Sequence, residues 1–188
     1  MDEITIRPAA AADFDLIMEI EVLGFGYEKE ARLTAALLAD PTAEPKLSLL
    51  AFCGHEAVGH VLFTKAAFKN TSRSPLMHIL APLAVKPAYQ RRGIGGLLIK
   101  KGFEHLHDMG SKMVFVLGHK EYYPRHGFMP HAARAGFPAP YPVPDELGEY
   151  WMYQSLSSLG ANIGPGQIQC AQALDAPEHW RDDDADKR

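Results

Sequence analysis

The chain predicts a mixed α/β fold in which antiparallel strands come first and a crossover helix comes later. Three observations carry this. Alternating or wholly apolar runs of strand length recur near 4–7, 47–53, 58–68, 77–85, 113–117 and 150–156. Two segments of helical spacing lie between the first and second of these, and a longer one lies between the fourth and fifth. That longer helix is entered through Gln90-Arg91-Arg92-Gly93-Ile94-Gly95-Gly96, a turn dense in glycine and arginine directly after a strand.

Taken in order, Ile4 to Arg7 alternates and reads as a short strand ended by Pro8. Ala12-Asp13 opens a helix through about Leu23, with Phe14, Ile17, Met18 and Val22 at helical spacing, until Gly24-Phe25-Gly26 interrupts it. A second helix runs from about Glu28 to Leu38, with Leu33, Leu37 and Leu38 on one side, and stops at Asp40-Pro41. Leu47 to Cys53 and Val58 to Phe68 are strands joined by the hairpin turn Gly54-His55-Glu56. After the polar loop Lys69 to Pro75 comes the strand Met77 to Val85. Pro82 inside it has no backbone donor, so it belongs at an edge, a bulge or a splay between strands.

Ile94 to Met109 is a helix capped by Gly110. Met113 to Leu117 is apolar throughout, as in a strand buried on both faces. Glu121 to His126 reads as a short helix and Phe128 to Ala132 as a strand. Residues 136–145 hold four prolines and one glycine and form an irregular loop. Tyr150 to Leu156 closes the sheet, Gly164-Pro165-Gly166 turns, Gln167 to Leu174 offers a further strand, and Arg181 to Arg188 is a charged, disordered end.

A length of 188 residues suits one domain with one buried core. A formal charge of −4 argues against a nucleic-acid scaffold or a polybasic membrane binder, which need a concentrated positive face. Locally the balance reverses, with five Lys or Arg and no acid between Lys86 and Lys101, a surplus that suits a polyanionic ligand. No apolar run approaches the roughly 20 residues needed to span a bilayer. Met1-Asp2-Glu3 is acidic and does not open a secretory signal. Cys53, in an apolar strand, reads as a small buried residue, and with Cys170 it forms no recognisable disulfide framework. The expectation is a cytoplasmic protein. The nine histidines include no set with metal-ligand spacing, since His105 and His107 point to different faces of one helix, so no metal is expected.

A strand, a glycine turn and a helix together make an anion site. Glycine lets a ligand approach the backbone, and the first N–H groups of a helix lack internal partners and carry partial positive charge. Pyrophosphate is the natural occupant. A dinucleotide oxidoreductase reading of the same glycines fails, because Leu98 stands where its third glycine belongs and no acidic residue closes a first βαβ unit.

The turn resembles the acetyl-CoA signature of the GNAT superfamily of N-acyltransferases, Gln/Arg-x-x-Gly-x-Gly/Ala, with Gln90, Gly93 and Gly95 in its defined positions. Downstream, Tyr122-Tyr123-Pro124-Arg125-His126-Gly127-Phe128 resembles the family's aromatic-Tyr-x-x-x-Gly-Phe element. Pro-Leu-Ala-Val, the glycine turn, Val-Leu-Gly-His and Tyr-Tyr-Pro-Arg in that order are similar to the bacterial YhbS-like branch. The resemblance covers roughly 1–156, a GNAT acetyltransferase domain, and leaves 157–188 as a C-terminal extension. It implies a twisted, mostly antiparallel central sheet flanked by helices, with one splayed parallel strand pair whose wedge takes the pantetheine arm. It implies an acetyl-CoA-dependent N-acetyltransferase in which a primary amine attacks the thioester directly. Acetyl-CoA is the cosubstrate, the acceptor is an amine of a small molecule, peptide or protein, and the chain acts as a monomer or homodimer without nucleic acid or membrane. The alternative is a non-catalytic acyl-CoA-binding regulatory module, which only turnover separates.

The same resemblance assigns roles. Backbone N–H groups of Leu83, Ala84 and Val85 face the thioester oxygen, and Gln90, Arg91, Arg92, Gly93, Ile94, Gly95 and Gly96 hold the pyrophosphate. Arg91 and Arg92 read equally as solvated turn residues. Tyr123, four residues before Gly127, serves the departing thiolate, while Tyr122 fits a core aromatic better. The base is open among Glu21, Glu28, His78 and His119, or water. His119 follows the buried strand, where α/β sheets tend to place ligand groups, and its imidazole can accept a proton near neutrality. The family's Asn seven residues before the tyrosine is Val116 here, which leaves the cofactor arm on that side to His119 or Arg125. Phe25, Tyr27, Phe137 and Tyr141 are available to wall the acceptor or to pack the core.

Overall fold

A computed structural model provides the fold and describes residues 3–157 and 162–181. Strands β1 (Ile4–Pro8), β2 (Leu47–Cys53), β3 (Glu56–Phe68), β4 (Met77–Val85), β5 (Met113–Leu117) and β6 (Trp151–Ser155) lie side by side in that order. Strand β7 (Ile168–Gln169) pairs with the far end of β3. Every pairing is antiparallel except β4 with β5, the two strands joined through a helix. That is the mixed, mostly antiparallel sheet with one parallel pair that the sequence predicts.

Helices α1 (Phe14–Phe25) and α2 (Lys29–Ala39) cover one face of the sheet and α3 (Ile94–Asp108) the other. The alternation along β5 shows why its run is apolar at every position. Met113 and Phe115 join the cluster containing Leu37, Ile79 and Trp151, while Val114 and Val116 join the cluster under α3 with Leu98 and Ile99.

Several boundaries differ from expectation, each for a local reason. Helix α1 runs through Gly24 and Phe25 and ends at the left-handed Gly26. Gly24 does not break it because its bare backbone is a packing device: a Cβ there would stand 3.0 Å from the Ala84 side chain. The helix read over 121–126 is a 3-10 turn, Tyr123–His126, closed by Gly127 at φ 90°. Phe128 to Ala132 is not a strand. Met129 makes one bridge to Tyr153, and beyond it Pro130 lacks a donor and His131 has φ 61°, so no ladder can continue. The strand read over 167–174 shrinks to β7, followed by the 3-10 turn Gln172–Leu174.

Cys53 ends β2 half-buried rather than buried, and both it and Cys170 are free thiols. The charged end from 182 onward lies outside the described residues. Just before it, Trp180 is 2% exposed and meets the Trp151 ring edge-on at 5.5 Å. Among the described residues no helix is long and apolar enough to cross a membrane.

Candidate active site

Strands β4 and β5 pair only over Met77–Ile79 and Met113–Phe115, and beyond that they part. The reason lies at Pro82. Phe63 of β3 pairs with Leu80 and Val61 with Leu83, so Leu62 alone opposes both Ala81 and Pro82. This is a bulge, which bends β4 where proline could not have donated to a ladder. A cavity of about 540 Å³ opens in the wedge. Its β4 wall runs from Ile79 to Leu83, and Leu117, Gly118 and His119 face it from the end of β5. Tyr123 closes one side, and Phe25, Tyr27 and Leu33 close another.

The strand amides point selectively. The Lys86 N–H donates to Val58 O at 2.9 Å, which sets the phase of the antiparallel ladder. Alternate residues face the partner strand, so Ala84 turns its amide toward β3 while Leu83 and Val85 turn theirs toward the wedge. Of the three residues expected at the thioester oxygen, Ala84 is therefore the wrong phase. Its side chain instead packs with Ile17 and Ile20 of α1.

At the glycine turn, Gly93 is the helix N-cap with φ 83°, and no side chain caps α3. The first helical bond is Leu97 N–H to Gly93 O at 3.1 Å, so the N–H groups of Ile94, Gly95 and Gly96 have no partner inside the helix. Arg91 takes φ 58°, and the Arg92 guanidinium lies 5.3 Å from the Tyr89 ring centre. Two expectations change here. The Gln90 side-chain amide donates to Val85 O at 2.9 Å, so it braces the turn rather than reaching outward. The local basic surplus is also smaller than the sequence suggests, because Lys86 pairs with Glu19 at 2.7 Å and Lys101 with Glu104 at 2.9 Å. Arg91 and Arg92 remain as the charges on the turn itself.

The three glycines do different work. Nothing lies within 4 Å of a Cβ built on Gly93, whose requirement is its left-handed backbone. Gly95 and Gly96 are small because the Tyr122 hydroxyl and the His126 ring occupy the space their side chains would need. This contact between the helix start and the tyrosine turn was not legible from spacing. It also moves Tyr122 from a plain core aromatic to a half-buried ring whose hydroxyl sits at the anion turn.

Tyr123 is 9% exposed, packs edge-on against Phe128 and Tyr122, and lies against Gly118 where a Cβ would clash. Among the described residues its hydroxyl makes no hydrogen bond, and burial raises its pKa well above the ordinary tyrosine value. It is held protonated and borders the wedge.

The candidate bases separate sharply. His78 is buried, with Nδ1 2.8 Å from Ser111 Oγ and Nε2 2.8 Å from Pro45 O, and burial lowers its pKa to about 4. It is a structural histidine and does not border the cavity. Glu21 is buried on α1 with Oε1 2.5 Å from His60 Nδ1, while His60 Nε2 lies 2.9 Å from Ser48 Oγ. Burial raises the Glu21 carboxyl, and the pair ties α1 to β2 and β3 away from the wedge. Glu28 is exposed and pairs with Arg32 at 3.0 Å. His119 alone of the four borders the cavity, and its carbonyl accepts the N–H groups of Tyr122 (3.1 Å) and Tyr123 (3.3 Å).

His78 also carries a pH prediction. A histidine whose folded pKa is held near 4 against an ordinary 6.5 contributes stability that is full above 6.5 and lost as pH falls toward 4, because the unfolded chain binds the proton first. Thermal melts should show Tm dropping across that window, and His78→Gln should flatten that part of the profile. A profile unchanged by the substitution would assign the acid sensitivity elsewhere.

Of the aromatics offered for the acceptor wall, Phe25 and Tyr27 line the cavity. Phe137 does not, being buried between Phe115, Phe68 and Tyr153. Tyr141 points its hydroxyl at Asp175 O, 3.3 Å away. Val143 lines the cavity from the proline-rich loop, which was expected to wall the acceptor, and residues the sequence did not single out complete the wall: Leu147 from the 3-10 turn Asp145–Tyr150, and Leu174, Glu178 and Trp180 from the C-terminal segment. A lone tryptophan ahead of an acidic tail was the only available signal. Arg125 borders a second hollow of about 340 Å³ that shares His119 and Tyr150 with the first. Val116 is buried in β5, so it cannot replace the family asparagine.

Comparison with known proteins agrees with this fold. A family model described as an acetyltransferase (GNAT) domain matches residues 5–130. The uncharacterised N-acetyltransferase YjhQ of Escherichia coli strain K12 is 56% identical over 160 residues, spanning 85% of this chain and 88% of the relative. Among solved structures, the GNAT family N-acetyltransferase YhbS of Escherichia coli in complex with CoA superposes with a TM-score of 0.82 at 22% identity, over 94% of each chain. A GNAT family acetyltransferase of Brucella melitensis in complex with acetyl-CoA gives 0.72 at 24% identity, over 93% of this chain and all (100%) of that one. At these identities the structural likeness is one of fold.

Proposed function

Since the chain belongs to the GNAT acetyltransferase family, we propose that it moves an acetyl group from acetyl-CoA to a primary amine by direct attack within the wedge between β4 and β5. The observation that carries this assignment of the site is a wedge bordered by strand amides and a protonated phenol, with the unpartnered helix N–H groups close by, where Gly95 lies beside Leu83 and the Tyr122 hydroxyl.

In this reading the N–H groups of Ile94, Gly95 and Gly96, with Arg91 and Arg92, hold the pyrophosphate. Leu83 and Val85 present amides to the thioester oxygen and stabilise the charge that gathers there as the amine adds. The C–N bond forms, the C–S bond breaks, and the amine nitrogen loses a proton to His119 or water. Tyr123 donates to the departing sulfur. A thiol has an ordinary pKa of about 8.5, below that of the buried phenol. The tyrosine therefore acts as a hydrogen-bond donor whose bond strengthens as negative charge develops, and it keeps its own proton while the released thiolate takes one from solvent.

The functional boundary belongs to the same proposal: residues 1–156 form the acetyltransferase domain, and within the extension residues 162–181 act as a strap across the acceptor side. So does a cytoplasmic setting, which suits two free thiols, as does action as a monomer or homodimer on a small-molecule or peptide amine.

His119 is tested by free-thiol release from acetyl-CoA with an active amine. If it is the base, His119→Gln should lower kcat/KM for the amine and change the shape of its pH profile. If it holds the cofactor arm, KM for acetyl-CoA should rise with the profile intact. Survival of both at full height would leave proton removal to water.

A further inference from the structure

The closed end of the wedge is built from three stretches that are remote in sequence. Ile79 is the last β4 residue paired with β5. Around it the cavity is lined by Leu33 of α2 and by Leu174 and Trp180 of the C-terminal segment. All four residues belong to, or pack against, one apolar cluster.

That end is held rigidly. The buried Asp40 carboxylate accepts the Ala173 N–H at 2.8 Å and the Thr42 N–H at 2.7 Å, and Thr42 Oγ1 accepts the Gln172 N–H at 2.8 Å. Trp180 Nε1 donates to Leu174 O at 3.0 Å, which satisfies the indole's one polar atom and turns the ring's hydrocarbon to its surroundings. A floor fixed in advance costs a ligand little ordering.

Further out, the charged side chains give no dominant sign. Glu30 and Glu178 border the cavity together with Lys29 and Arg181. A polyamine meets no acidic well there, and an anionic acceptor meets no basic one. Aromatic rings do line the way in, at Phe25, Tyr27 and Tyr150.

We propose that the acceptor is a compact primary amine with an aromatic or branched apolar body, of the phenethylamine class, lying along the half-buried rings of Phe25 and Tyr27 in a wedge whose floor the buried Leu174 and Trp180 shape. The strap, which lies beyond the stretch 5–130 matched by the family model, then sets acceptor range. This rests on the wedge being the transfer site.

The test uses the full chain with saturating acetyl-CoA and three probes: phenethylamine, spermidine and a short peptide with a free N-terminus. The expected kcat/KM for phenethylamine exceeds the other two by about tenfold or more. Trp180→Ala should raise KM for phenethylamine about tenfold and leave KM for acetyl-CoA within about twofold, and Trp180→Phe should recover most of the loss. Calorimetry with coenzyme A on each variant reports whether the fold and the cofactor site persist. Preference for spermidine or the peptide, or an unchanged KM in a Trp180→Ala variant that still binds coenzyme A, would overturn the inference and leave the transferase reading standing. Loss of Trp180→Ala to misfolding shifts the decision to Trp180→Phe, whose KM must then rise measurably for phenethylamine alone. Failure of the native chain to bind coenzyme A would overturn the reading of the wedge and this inference with it.

Discussion

Tyr123→Phe is expected to lower kcat by roughly 10²–10³, the usual loss on removing one donor to developing charge, while coenzyme A affinity and Tm hold nearly constant. The separation is expected because the ring, not the hydroxyl, does the packing. The ring lies against Phe128, Tyr122 and the bare backbone of Gly118, and phenylalanine keeps all three contacts. The hydroxyl has no hydrogen bond to lose among the described residues, so its removal leaves no orphaned partner. Burial holds the phenol protonated well beyond neutral pH, so the native enzyme should show no alkaline limb from this group below about pH 10. Tyr122→Phe is the matched control. Its hydroxyl sits at Gly95 rather than in the wedge, so kcat should stay within about threefold and any effect should fall on cofactor affinity. A threefold loss or less in Tyr123→Phe, measured with a true acceptor, would reduce that residue to packing.

Gly93→Asp should weaken coenzyme A binding by about a hundredfold, while Gly93→Asn weakens it only severalfold. A Cβ at this position meets nothing within 4 Å, so both side chains fit, and both residue types tolerate a left-handed backbone better than most. They differ in charge. A carboxylate at the N-cap would occupy the ground a phosphate needs and repel it, and two unit charges about 4 Å apart near a surface interact by about 4 kcal/mol. Calorimetry with coenzyme A measures both constants, and equal affinities for the two variants would remove the pyrophosphate from this helix start. Gly95 and Gly96 are poorer probes. Substitution there collides with the Tyr122 hydroxyl or the His126 ring, so lost binding would not distinguish a filled anion site from a displaced turn.

That difference among three glycines of one motif shows where sequence reasoning stopped. Gly93 was legible as a motif glycine beside an anion site, and the left-handed backbone the structure adds to it is a local requirement. The demands on Gly95 and Gly96 come from a turn some 30 residues away that folds back onto the helix start. Spacing recorded that glycine was present and could not record why. The same holds for the histidines. His78 and His119 read alike as imidazoles on or after strands, yet one is sealed between Ser111 and Pro45 and the other borders the wedge.

The strands and helices were determined by the chain alone, because periodicity, proline, and glycine act within a few bonds of where they stand. The run Met113 to Leu117 could be read as buried on both faces, and Pro82 as a break in a ladder, without any neighbour being known. The local failures were also local in cause: Phe128 to Ala132 lost its strand to Pro130 and to the positive φ of His131. Tertiary structure decided which side chains share the wedge. Leu33, Ile79 and the pair Leu174 and Trp180 stand far apart along the chain and carry no common signature, and they become one surface only when the strap docks on Asp40 and Thr42. A cofactor site can be written in one turn because backbone N–H groups do the binding, whereas an acceptor pocket is a shape made by remote apolar side chains, and shape is a property of the packing.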